Sequence, residues 1–304
     1  MSTDNYTTTD MTAVCAACGI AEIDDVKLKD CDGCDLVRYC SDACQELHLP
    51  EHAGNCRLRA AELRDEVLFK QPESTHFGDC PICCLPLPLG LTKATMYSCC
   101  SNLICNGCDI ANKIREKEMR LEQSCPFCRE PALLSTREEC DKRRMKRVAV
   151  NIPIALCDEG MVQFRKGDYF KAFEYCKKAA DLGAVEAHYR VGILYGDGKG
   201  VEKDIGKEIY HLEEAAIGGH PEARFQLGCN EMDNQNVERA VKHWIIAATQ
   251  GEDESIKALM DFFKEGFVKK EDLASALRAH QAAVDATKSP QREAAEQALE
   301  KWHK

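Results

Sequence analysis

Sixteen of the twenty cysteines of this 304-residue chain lie between Cys15 and Cys128, and only four follow in residues 129–304. A segment so rich in cysteine and poor in aromatics has too little apolar surface to close a useful core, so cross-links must supply its stability. The opening run MSTDNYTTTD lacks the basic region and apolar stretch of a secretory signal. The expectation is therefore an intracellular protein, cytoplasmic and/or nuclear, in a reducing compartment that disfavours disulfides. No apolar run approaches the roughly 18 residues of a spanning helix. The longest, around Val148 to Cys157, is interrupted by Asn151 and Pro153, so no membrane partner is expected. Asn5-Tyr6-Thr7 fits a glycosylation acceptor, but without a secretory route it reads as a chance match.

The first cluster supplies four ligand pairs: Cys15-x2-Cys18, Cys31-x2-Cys34, Cys40-x3-Cys44 and His52-x3-Cys56. Zinc takes four nitrogen or sulfur ligands in a tetrahedron, so eight ligands make two closed structural sites with no position left for water or substrate. At about 10–16 kcal/mol of apparent binding free energy per structural site, metal dominates the stability of so short a segment. Spacing alone leaves three ways to join the pairs. The run Tyr39-Cys40-Ser41, then Cys44-Gln45, His52 and Cys56 resembles a MYND finger over residues 15–56. That resemblance implies interleaved sites: Cys15, Cys18, Cys40 and Cys44 on one ion, and Cys31, Cys34, His52 and Cys56 on the other. Leu49 departs from the aromatic residue that many members carry near this position. His48-Leu49-Pro50-Glu51-His52 also fits the H-x-x-E-H pattern of inverted zinc peptidases. Pro50 should break or kink the helix that such chemistry needs, and His52 is already committed. His48 is then read as a solvated surface residue.

After a polar linker the cysteines resume as Cys80-Pro81-Ile82-Cys83, Cys99-Cys100, Cys105-x2-Cys108 and Cys125-Pro126-Phe127-Cys128. This stretch resembles a RING finger over residues 80–131, with a short helix expected between Cys108 and Cys125. The family's usual cysteine, one residue, histidine is here Cys100-Ser101-Asn102, and Asn102 is a poor zinc ligand. An all-cysteine variant follows. Interleaving places Cys80, Cys83, Cys105 and Cys108 on one ion and Cys99, Cys100, Cys125 and Cys128 on the other, with Cys84 the runner-up to Cys99. The cofactor expected is Zn2+, about four ions, two per finger.

RING fingers of the ligase type bind a ubiquitin-conjugating enzyme through an apolar patch that maps here to Ile82 and Pro126, with an activating cation at Arg129. Planar arginine, with five donors, suits that bridging role. The aromatic residue that many active members place after the third knuckle is missing, since Asp109, Ile110 and Ala111 follow Cys108. A ubiquitin ligase and a non-enzymatic scaffold or adaptor both remain open, and neither needs a catalytic side chain.

From about Thr136 the chain turns helical and repetitive. Pro153-Ile154-Ala155-Leu156-x3-Gly160, Val185-Glu186-Ala187-His188-x3-Gly192 and Pro221-Glu222-Ala223-Arg224-x3-Gly228 are in register. Each leads to a second ending, at Ala179-Ala180, Ala215-Ala216 and Ala247-Ala248, followed by Gly183, Gly218-Gly219 and Gly251. These units read as helical hairpins that must stack to bury their apolar faces. With Tyr195-Gly196-Asp197-Gly198-Lys199-Gly200-Val201 in the middle copy, the pattern resembles Sel-1-like repeats, relatives of tetratricopeptide repeats. The glycines of Gly196–Gly200 do not form a phosphate loop, because no strand precedes them and no Lys-Ser/Thr follows. Cys140, Cys157, Cys176 and Cys229 read as isolated thiols, and Phe225 and Trp244 as core.

The fold class expected is two small zinc-stabilised domains, MYND-like and RING-like, followed by an all-α helical-hairpin repeat array. Boundaries are a disordered tail at 1–14, the first finger at 15–56, helix and linker at 57–79 and the second finger at 80–131. A basic linker helix at 132–150, the repeats at 151–286 and a C-terminal cap or tail at 287–304 complete the chain. Lys142-Arg143-Arg144-Met145-Lys146-Arg147 is either a nuclear import signal or the solvated face of that linker helix. Residues 15–56 carry nine carboxylates against three lysines or arginines. A phosphate backbone would be repelled, so a nucleic-acid-binding regulator is disfavoured and protein or peptide clients are expected.

Overall fold

A computed structural model describes residues 14–23, 25–131 and 136–302 of the chain. The expected tail thus lies, apart from Val14, outside the described residues. The chain divides into two compact units, Met1–Lys70 and Gln71–Lys304.

In the first unit, β1 (Lys29–Asp30) and β2 (Arg38–Tyr39) pair antiparallel, and α1 (Asp42–Leu68) follows at once. Ser41 caps α1, its hydroxyl accepting the Cys44 N–H at 3.3 Å. The buried apolar cluster is Cys15, Leu28, Cys31, Cys34 and Tyr39, so cysteine supplies most of it. α1 runs on through Pro50. The helix is not broken there, and the residues that follow Pro50 explain it. His52 and Cys56 are held in a ligand group, and Arg59 forks onto Asp35 at 2.7 and 2.8 Å. These anchors offset the one N–H hydrogen bond lost at proline.

The second unit begins with an extended segment and a hairpin, β3 (Ala94–Tyr97) against β4 (Asn102–Cys105), with Ala94 opposite Cys105. α2 (Asn106–Glu118) is capped by Cys105 and is the short helix expected before Cys125. α3 (Arg137–Ala149) leads into the repeats. These are α4 (Pro153–Arg165) with α5 (Tyr169–Asp181), α6 (Val185–Asp197) with α7 (Ile205–Ile217), and α8 (Pro221–Asp233) with α9 (Val237–Thr249). α5 packs on α6 and α7 on α8, so the hairpins stack. α10 (Asp253–Lys264) and α11 (Lys270–Ala286) continue on α9, and α12 (Pro290–Trp302) turns back onto α2.

The alanine pairs and glycines of the repeat have a clear job. Ala180, Ala216 and Ala248 carbonyls accept the N–H of Gly183, Gly219 and Gly251, all left-handed with φ of 82°, 84° and 91°. Ala179, Ala215 and Ala247 carbonyls accept the next N–H along, which closes each helix end in the same way. Gly160, Gly192 and Gly228 make the hairpins close: a Cβ there would lie 2.5 Å from Cys176 Sγ, 3.2 Å from Leu212 Cδ2 and 2.3 Å from Trp244 Nε1. Phe225 and Trp244 are core, as expected, and Cys157 and Cys176 are buried between α4, α5 and α6. The Gly196–Gly200 loop is a joint, since a side chain at Gly200 would meet the Tyr169 carbonyl at 2.1 Å.

Candidate metal centres

Three Cys-x2-Cys turns share one backbone pattern. Cys15, Cys80 and Cys125 each donate their N–H to the carbonyl five residues on, at Ile20, Leu85 and Glu130. Each also accepts the N–H four residues on, from Gly19, Cys84 and Arg129. That fourth residue is left-handed in every case, with φ of 74°, 53° and 63°. Such a turn aims both cysteine side chains to one side. Three further pairs sit on helix starts or on a helix: Cys40 and Cys44 flank the cap of α1, His52 and Cys56 lie on α1, and Cys105 and Cys108 open α2, while Cys31 with Cys34 and Cys99 with Cys100 lie in turns.

The described chain brings these pairs into four groups whose ligand atoms all lie within 4.8 Å of one another. They are Cys15, Cys18, Cys40 and Cys44; Cys31, Cys34, His52 and Cys56; Cys80, Cys83, Cys105 and Cys108; and Cys99, Cys100, Cys125 and Cys128. A tetrahedral zinc with bonds of about 2.3 Å sets its sulfurs about 3.8 Å apart. The distances here are 3.6 Å for Cys18–Cys40, 3.7 Å for Cys31–Cys56, 3.8 Å for Cys83–Cys105 and for Cys100–Cys125, and 3.4 Å for Cys99–Cys128. The donor set fits zinc chemically as well. Burial pushes the Cys15 thiol up, but N–H donors at Cys18, Cys40 and Ala17 outweigh it and bring it down to about 6. The sulfurs of Cys18, Cys44 and Cys15 push Cys40 up to about 12. Four thiolates cannot share so small a volume without a cation between them.

In the first module His52 Nε2 lies 3.2 Å from Cys34 Sγ, and Gly33 leaves room for Cys56 Sγ, which a Cβ would meet at 2.9 Å. His48 is not the solvated residue expected. Its Nδ1 is 3.0 Å from the Tyr39 hydroxyl, and its ring stacks on His52 with centroids 5.6 Å apart. The peptidase reading therefore fails on commitment of both histidines, not on a broken helix.

In the second module Cys99 lies in a ligand group, while Cys84 is exposed outside it. The adjacent cysteines are accommodated by a tight turn. The Tyr97 carbonyl accepts from both Cys100 N and Ser101 N, and Ser101 is left-handed at φ 57°. Arg147 braces that turn with its whole fork: Nε to Ser101 Oγ at 2.7 Å, and the two terminal nitrogens to the Cys99 and Cys100 carbonyls at 3.1 and 3.0 Å. Arg143 and Arg144 are also engaged, with Glu130, Glu139 and the Pro131 carbonyl, and with Asp141 and Glu159. Much of the basic run is thus structural.

The partner patch differs from expectation. Ile82 is 41% exposed and Arg129 is exposed, its guanidinium 3.4 Å from Asn112 Oδ1. Pro126 is buried, and the exposed apolar residue of that turn is Phe127. On α2, Asp109 and Ile110 are buried. Asp109 accepts from Tyr97, Thr95 and Lys113, which fills the place of the missing aromatic residue with a satisfied carboxylate.

A fifth group joins the segment before Cys80 to the repeats. His76 Nε2 and His220 Nε2 lie 3.2 and 3.0 Å from Glu186 Oε2, and the two imidazoles stack with centroids 4.0 Å apart and planes 6° from parallel. Burial pushes the Glu186 carboxyl up, but the hydrogen bond from His220, the close His76 imidazole and the nearby Arg190 hold it far below the usual range. Parallel stacked rings cannot both point an in-plane lone pair at one ion, so the group reads as a shared-carboxylate clasp. The backbone N–H of His76 donates to the Gly219 carbonyl at 2.9 Å and fixes the segment there.

Comparison with known proteins agrees with two of these regions. Residues 15–56 match the MYND finger. Residues 158–183, 185–220 and 221–252 match the Sel1 repeat. The chain is thus a cysteine-rich zinc-binding region followed by an all-helical Sel1-type, tetratricopeptide-like array. Among curated proteins it is 26% identical to mouse DAP3-binding cell death enhancer 1, over 44% of this chain and 34% of that protein, and 24% identical to the rat protein, over 47% and 36%. It therefore spans about a third of the length of these relatives. Among solved structures it is similar to a Sel1 repeat protein from Oxalobacter formigenes, at 26% identity and a TM-score of 0.42, over 49% of this chain and 64% of that one. A second is c5321, a protective antigen of uropathogenic Escherichia coli with an SLR fold, at 26% identity and a TM-score of 0.39, over 54% and 36%. No described helix is long and apolar enough to cross a membrane.

Sequence reasoning missed Arg147, Phe127, Gly33 and the docking of α12. Arg147 was visible only as one charge in a basic run, and nothing local marks a residue whose partners lie more than 40 positions away.

Proposed function

We propose that this chain is a zinc-braced interaction protein in which the MYND finger docks peptides, residues 80–131 act as a RING-type module, and the repeats hold a protein client. The module boundaries at 15–56, 80–131 and 151–286 belong to the same reading, as do the sixteen ligands named above and about four zinc ions. Its finer claim is that the second module recruits a ubiquitin-conjugating enzyme, and that transfer then proceeds by proximity, without a nucleophile or acid/base from this chain. The observation that carries it is the pair of matching knuckles at Cys80 and Cys125, one exposing Ile82 and the other exposing Phe127 beside Arg129. The rodent relatives have DAP3 binding in their names, which supports protein partners over other classes.

A non-enzymatic scaffold is favoured by the burial of Pro126, Asp109 and Ile110, which takes three positions out of a docking patch. Autoubiquitination by the full chain over a broad panel of conjugating enzymes separates the two. The ligase reading expects product that falls at least tenfold in Ile82→Ala, Phe127→Ala and Arg129→Ala. No product with any enzyme in the panel leaves the scaffold.

A further inference from the structure

The C-terminal helix α12 was expected to be a cap or tail, yet it delivers a buried cation to the second module. Arg292 is 8% exposed. One terminal nitrogen donates to the Pro86 and Thr287 carbonyls, both at 2.7 Å. The other donates to the Leu85 carbonyl at 3.1 Å and to Cys83 Sγ at 3.3 Å. Leu85 is also the carbonyl that takes the Cys80 N–H, so the guanidinium caps the knuckle that presents two ligands. The helix is fitted closely there. Gln291 donates to the Gly107 carbonyl at 3.0 Å, and a Cβ on Gly107 would lie 2.8 Å from Arg292 Cγ. Lys93 pairs with Glu296 at 3.1 Å, on the same helix.

Among the described residues no carboxylate pairs with Arg292, and its buried Nε has no hydrogen-bond partner. A guanidinium out of water without a counter-charge is strongly disfavoured, and carbonyl dipoles offset only part of that. Four neutral thiols would offer no charge. Four thiolates around a divalent zinc ion leave a net charge of −2 beside the guanidinium, and a hydrogen bond to a charged sulfur is of the strong, charge-assisted kind. Arg147, by contrast, reaches only the Ser101 hydroxyl and backbone carbonyls of the other group in this module.

We propose that Arg292 is the counter-cation of a zinc tetrathiolate at Cys80, Cys83, Cys105 and Cys108, and that the charge of this loaded group holds α12 on α2. The C-terminal helix is then a metal-dependent element, and a repeat array otherwise stabilised by packing is closed at one end by a metal site. The inference rests on the zinc reading of this group, and the test keeps the two apart.

In the full-length chain, zinc stoichiometry, zinc release to a chromogenic chelator and hydrogen exchange of α12 are measured together. Cys108→Ser is expected to lower the stoichiometry by one ion and to cut α12 protection at least tenfold, with α6 to α9 unchanged. Arg292→Gln is expected to speed release of one ion about tenfold, the scale of losing an outer-shell partner. Arg292→Lys, which keeps the charge without the fork, should fall between. Stoichiometry lowered by one with α12 still fully protected overturns the proposal alone, and so does release at the wild-type rate from Arg292→Gln. Unchanged stoichiometry in Cys108→Ser overturns the zinc reading and the proposal with it.

Discussion

The two cysteine modules arrange their ligands alike and are supported differently. Around the first, the buried apolar residues that are not ligands are Leu28 and Tyr39, and its long helix buries little beyond His52 and Leu68. Around the second, Leu87 and Ile104 cluster with Cys80, Cys105 and Cys108, and Ile110 on α2 is buried as well. Arg147 from α3 and Arg292 from α12 brace its turns from outside, 47 and more than 200 residues along the chain. The difference teaches that one ligand pattern can serve two designs. In one, little besides the ligand groups is packed. In the other, the ligand groups are one part of a larger packed unit.

The largest test of this contrast is removal of metal. A strong chelator applied to the full chain is expected to abolish hydrogen-exchange protection throughout residues 14–40, where about 10–16 kcal/mol per site is lost against almost no core. The hairpins α4 to α9 should keep their protection, because their closure is made by packing. Protection that persists in the first module without metal would end the distinction.

A smaller effect isolates the packed side. Gly228→Ala sets a methyl 2.3 Å from the Trp244 indole nitrogen, in a core that cannot give way without moving a helix. The expected loss is about 2–3 kcal/mol in denaturant unfolding, with zinc content unchanged. Gly192→Ala, 3.2 Å from Leu212 Cδ2 and Cγ and 3.3 Å from the Glu208 carbonyl oxygen, needs a smaller shift and should cost about 1 kcal/mol. Equal losses would mean that the repeats do not depend on close approach at these points.

The smallest test concerns the knuckles themselves. Gly19 and Cys84 occupy the same left-handed position in the two modules, but only glycine holds it without strain. Cys84→Gly is expected to stabilise the second module by about 0.5–1 kcal/mol and to leave the zinc count as it is. A lost ion in that variant would show Cys84 to be a ligand in place of Cys99.

Legibility followed the range over which each feature acts. The ligand pairs of the first finger lie within 42 residues, and their spacing reports a local turn or helix, so the finger at residues 15–56 could be recognised, while the pairing of its ligands came from the family resemblance. The repeats were legible because three copies of one pattern reinforce each other, down to Gly183, Gly219 and Gly251 at the helix ends. Cys99 against Cys84 stayed open, because adjacent cysteines can share a site only if the backbone turns sharply. Here Ser101 and a distant arginine make that turn. Pro126 was misread as surface, because burial of one residue in a loop depends on what packs over it. His48 was misread for the same reason, its partner being the Tyr39 hydroxyl across the finger.

The sequence by itself determined the first cysteine finger, the helical repeat and the acidic balance of residues 15–56. All are properties of residue type at short spacing. Tertiary structure alone decided which arginines of a 30% charged chain are buried braces. It also decided that the last helix closes on the second cysteine module. A cation's cost or benefit depends on the charge and solvent around it, and only the fold brings Arg292 to the sulfur of Cys83, 209 residues earlier in the chain.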